Sequence, residues 1–131
     1  STTGTLHPDL LRVLVQDGFG YWFIDPETPD ASTTLRAHLA DGGAALILIV
    51  RRESGGLHWV MTDAVRGGSL RIVDSLQPEP ALEPVEAFLR ECVLSIIAIE
   101  AGIDGRAGIA AAHADGIAEM ARVRERMKRR D

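Results

Sequence analysis

The strongest constraint on this chain is the alternation in "GLHWVMTDAVRGGSLRIVDSLQ" (Gly56 to Gln77), two runs rich in β-formers joined by a glycine turn. Side chains alternate across a strand, so His58, Val60 and Thr62 share one face while Leu57, Trp59 and Met61 share the other. Trp59 is therefore expected to pack in the core or to cover the flank of His58. Asp74 ends the second run. A carboxylate there is placed to accept the imidazole N–H, fix its tautomer and stabilise its cation during proton transfer. From these residues alone, the pair fits either a general-base dyad or a histidine that satisfies a hydrogen bond at a sheet edge.

The flanking segments supply a layered context. "LHPDLLRVLVQDGFG" predicts a helix over about 8–17, with Pro8 in its first turn and Gly18 as a stop. "YWFIDPETPD" reads as a short extended piece running into a loop, and "ASTTLRAHLADGG" as a short helix capped by Ser32 or Thr33. "AALILIVRR" and "VLSIIAIE" are too short and too β-rich for helices and read as buried strands. Between them, "EPALEPVEAFLREC" has helical spacing. A long final helix is predicted from about Ala107 to Met127, with Ile109, Ile117, Met120 and Val123 as its apolar stripe and Gly116 inside it. The sum is a single α+β domain over residues 1–131, with about four strands in a mostly antiparallel sheet packed by helices.

Composition narrows the function classes. Charged residues at 25% and hydrophobic residues at 46% are ordinary for a soluble domain, and no apolar run is long enough to span a bilayer. The net charge of -5 argues against a phosphate-backbone binder, and the basic tail "ARVRERMKRRD" reads as a solvated helix end. No signal peptide is expected, and the single cysteine, Cys92, has no internal partner, which fits a reducing compartment. Cys92 reads as a buried structural cysteine near a helix end. His7, His38 and His113 lack metal-ligand spacing, so neither a metal nor a cofactor is expected.

"HWVMTDAVRGGSLRIVDSL" resembles the ubiquitin-like-protein protease superfamily, the clan CE papain-like cysteine proteases and the related bacterial effector acetyltransferases. Its members carry His-Trp on a strand, Asp-Ser-Leu after the next strand, and later Asp-Cys-Gly opening a helix. His58-Trp59 and Asp74-Ser75-Leu76 match the first two motifs, and "DGRAGIAAAHADGIAEM" is similar to the third with Ala107 in the cysteine's place. The resemblance implies a papain-like fold, a catalytic set of His58, Asp74 and the residue-107 nucleophile position, and acyl transfer through a thioester. It implies a protein or peptide partner, which could be ubiquitin-like, and a cytoplasmic protein or one delivered into a host cell. With alanine at 107 the chain is expected to be inactive, either as an engineered cysteine-to-alanine variant, which the retained pair favours, or as a natural pseudoenzyme. The spacing of His58 and Asp74, with "LLRVLVQDGFG" upstream, is also similar to that of exporter-associated leader peptidases. Their cysteine precedes the histidine, so this second resemblance implies a degenerate domain that binds a peptide or protein.

Overall fold

The computed structural model describes residues 5–102 and 108–130. In chain order the elements are α1 (His7–Gln16), β1 (Phe19–Ile24), α2 (Ala31–Ala40), β2 (Ala44–Val50), β3 (Leu57–Arg66), β4 (Ser69–Val73), β5 (Ala81–Pro84), α3 (Val85–Glu91), β6 (Val93–Ala101) and α4 (Gly108–Arg130). The strands hydrogen-bond in the order β1-β6-β2-β3-β4-β5. Pairings of β2 with β3 and β6, of β3 with β4, and of β4 with β5 are antiparallel. The α+β class and the mostly antiparallel sheet expected from the sequence are thus what the structure shows.

The chain divides into two compact units, Trp22–Ile99 and a second formed by Ser1–Tyr21 with Glu100–Asp131. In the first, β2 and β6 are the buried strands their β-branched runs predict: Ala45, Ile47, Ile96 and Ala98 have no exposed surface. Their shared face carries Leu35 and Leu39 of α2 and Phe88 and Leu89 of α3 in one core cluster. The β3–β4 hairpin turns at Gly67-Gly68, where Gly67 has φ +61°. A positive φ at the first of two turn residues is the type II′ geometry whose twist matches that of paired strands.

Three expectations are corrected. The described residues hold six strands, not about four: "YWFI" completes a full strand, and Ala81–Pro84 is β5 where a helix was predicted. Proline biases the residue before it toward extended backbone, so Glu79-Pro80 and Glu83-Pro84 block helix up to Val85, and an edge strand tolerates the missing N–H. Helix α2 begins at Ala31 with Asp30 at the cap and no side-chain cap bond; Ser32 is buried inside it. Two successive turns, closed by the Thr28 N–H on the Asp25 carbonyl and the Ala31 N–H on the Thr28 carbonyl, lead the chain into the helix without a hydroxyl cap.

In the other unit, α1 packs on α4. A Cβ at Gly116 would lie 2.6 Å from the Pro8 Cα, so glycine is what lets the two backbones approach. That contact sets which face of α4 is buried, and it matches the predicted stripe only in part: Val123 is buried and Met120 half-buried as expected, and Ile109 and Ile117 are not. Ala112, Gly116, Glu119, Val123 and Arg126 are buried, while Ile109 and Ile117 are each half exposed. The basic tail is correspondingly not all solvated. Arg126 is 2% exposed and donates to Glu119, which has no exposed surface, at 2.9 Å.

Candidate functional site

The site is set by strand register. Thr62 stands opposite Ile72 and Ile49 opposite His58, so His58 and Asp74 fall on the same face, diagonal to one another. Diagonal side chains on neighbouring strands are within reach when one is long or aromatic. The His58 Nε2–H meets Asp74 Oδ1 at 2.7 Å, with the two side chains 17% and 13% exposed. Trp59 is on the other face and half buried, as alternation predicts.

Asp74 is held from three sides. Its Oδ1 also accepts the Leu76 N–H at 2.9 Å, an Asx turn that fixes the carboxylate at the strand end. Its Oδ2 accepts from Arg51 Nη2 at 3.3 Å. Arg51 follows β2 and its backbone is pinned by the turn into β3, where its N–H donates to the Gly56 carbonyl. Burial alone would raise the Asp74 carboxyl; the Leu76 N–H, the hydrogen bond and charge of His58, and Arg51 outweigh it and hold the carboxyl below its ordinary value of 3.8. The carboxylate thus accepts the Nε2–H hydrogen bond, the tautomer that places the ring's lone pair on Nδ1. Nδ1 has no hydrogen-bond partner among the described residues.

A lowered carboxyl value stabilises the fold fully above its unfolded value, and the contribution is lost as pH falls through the folded one. Asp74→Asn should therefore flatten the part of the acid limb below 3.8. Urea unfolding of both proteins, from about pH 7 to about pH 3, checks this; parallel limbs would show that Asp74 contributes nothing to the acid transition.

Beside the dyad lies a cavity of about 260 Å³ in the Trp22–Ile99 unit. Ile49, Val60, Ile72, Phe88 and Cys92 are its buried apolar residues. Asp74, Arg51, Arg52, Glu53, Glu79 and Glu83 add charge to its lining. Arg52 reaches Glu83 at 3.4 Å and Glu91 at 3.2 Å, joining the β2–β3 turn to β5 and α3. Cys92 closes α3 and is 2% exposed, the buried helix-end position the sequence predicts.

Of the three expected site residues, the structure brings two together; Ala107 lies outside the described residues. Sequence reasoning missed Arg51, for which the run "VRR" after a buried strand carries no periodic signal. His38 is structural: its Nε2 lies 2.9 Å from the Ala44 carbonyl and 3.0 Å from that of Ile99, with the ring edge-on to Trp22. Among the described residues, no group of three His, Cys, Asp or Glu is arranged to hold a metal, and no helix is long and apolar enough to cross a membrane. Comparisons with protein families, curated proteins and solved structures return no match.

Proposed function

We propose that this chain carries the imidazole–carboxylate half of a papain-like, cysteine-dependent acyl-transfer site, with residue 107 as the nucleophile position and alanine in place of the thiol. The observation that carries the reading is the 2.7 Å bond from His58 Nε2 to an Asp74 carboxylate fixed on both oxygens, with Nδ1 left without a partner. A histidine that only satisfied a sheet-edge hydrogen bond would gain nothing from a carboxylate so constrained, whereas a general base needs its tautomer set and its cation stabilised.

With a thiol at 107, Nδ1 takes the sulfur's proton and the thiolate attacks the acyl carbon. The carbon–nitrogen bond breaks as the imidazolium protonates the departing amine. Water, or an acceptor hydroxyl or amine, then attacks the thioester while His58 takes its proton, which releases the acid or the acylated acceptor. The first outcome is peptide or isopeptide hydrolysis and the second acyl transfer to a protein. As the chain stands, with Ala107, neither proceeds.

Ala107→Cys in a Cys92→Ala background tests this through the iodoacetamide alkylation rate against pH. The thiol should titrate at least about one unit below the free value of about 8.5, and adding His58→Ala should return it there. A thiol that titrates near the free value with and without His58 overturns the proposal and leaves a partner-binding domain as the reading.

A further inference from the structure

We infer that the cavity beside Asp74 takes the basic side chain of a peptide or protein, its methylene stem on the apolar residues and its cation toward Glu53 and Glu79. That the side chain belongs to a substrate rests on the acyl-transfer reading; its chemistry follows from the cavity alone.

The volume decides the scale of the occupant. At about 260 Å³ the cavity is below the roughly 300–1,000 Å³ of sites that enclose drug-sized ligands, so it suits one long side chain. Ile49, Val60, Ile72 and Phe88 offer that side chain only hydrocarbon, each being no more than 9% exposed. A wholly apolar occupant would fit these walls but would bring an uncharged tip to a charged lining.

The lining charge decides the sign. Four carboxylates, Glu53, Asp74, Glu79 and Glu83, face two guanidinium groups. Arg51 is committed to Asp74 and Arg52 to Glu83 and Glu91. Glu53 and Glu79 have no hydrogen-bond or ion-pair partner among the described residues. An anionic ligand would meet this surplus as repulsion, whereas lysine and arginine combine an aliphatic stem with a cationic head that stays near water.

The test uses the chain as it stands, with Nα-acetyl-lysine methylamide as probe and the methyl resonances of Ile49, Val60 and Ile72 as readout. Saturable shifts at these methyls are expected, with Nα-acetyl-norleucine methylamide, which has the stem without the ammonium, binding about fivefold more weakly. Glu53→Gln combined with Glu79→Gln should weaken the lysine probe about fivefold and leave norleucine unchanged. Both positions are exposed, so the fold is not at stake. Absence of saturable shifts, equal binding of the two probes, or an unchanged lysine affinity in the double variant each overturns the inference. No thiol takes part, so a lysine probe that binds while the residue-107 thiol titrates normally upholds the pocket and overturns the enzymatic reading alone.

Discussion

Glu119→Ala should destabilise the protein by about 3–5 kcal/mol, measured as the loss of unfolding free energy in urea at constant m-value. Glu119 has no exposed surface and accepts from Arg122 Nε at 2.7 Å and Arg126 Nη1 at 2.9 Å. Arg122 is half exposed and can turn to water; the Arg126 side chain, 3% exposed, cannot. Its guanidinium stays charged and buried after losing the carboxylate at 2.9 Å, and the desolvation that this carboxylate no longer offsets, more than the lost attraction, sets the cost. The double change Glu119→Leu with Arg126→Met should recover most of the loss, because an apolar pair of similar volume needs no desolvation of ions. A cost below about 1 kcal/mol for the single change, the range of an exposed pair, would mean that water reaches Arg126 in solution.

Acidification from about pH 6.5 to about pH 4 should destabilise the protein by roughly 3 kcal/mol through His7. This residue opens α1, is 3% exposed, and is held down to about 4 from an ordinary 6.5. Burial is the main cause; the Glu119 charge pulls the other way, and Arg126 and Arg122 add to the lowering. A base with a lowered folded value is neutral in both states above 6.5, so its effect on stability is absent there. As pH falls from 6.5 to about 4 the unfolded chain takes a proton that the folded one refuses, and stability drops until both are charged. His7→Gln should flatten that window while leaving the lower one, assigned to Asp74, in place. Equal slopes for the two proteins between about pH 6.5 and pH 4 would show that His7 is solvated or paired in its charged form.

What could be read from sequence follows from which physical signals are periodic. The dyad was legible because His58 and Asp74 sit in runs with a two-residue repeat, and parity fixes the face of each. Arg51 has no such signal: its contact depends on where the turn through Gly55 and Gly56 brings the end of β2. Strand β5 is hidden in the sequence because the helical spacing of "VEAFLRE" can be run back into "EPALEP" although Pro84 ends the pattern. On α4 the apolar spacing points correctly to Val123 but not to Ile109 and Ile117, because close approach of the backbones, not isoleucine spacing, selects the buried face. Gly116 against Pro8 turns Glu119 and Arg126 inward, and an acid and a base seven residues apart in a charged helix otherwise look solvated.

The hairpin that carries the dyad also bears on the order of folding. His58 and Asp74 are sixteen residues apart and Arg51 twenty-three from Asp74, on β3 and just past the ends of β4 and β2, which are consecutive strands. Such pairings close short loops, which cost little chain entropy, and hairpins form in about 1–10 μs. Pairing of β2 with β6 instead joins Ala44 to Ile99 and must close most of the Trp22–Ile99 unit. Contact order therefore separates the two events: the imidazole and its carboxylate can meet in the meander before the central strand gains its second neighbour, and substitutions that slow β6 docking leave that early pairing untouched.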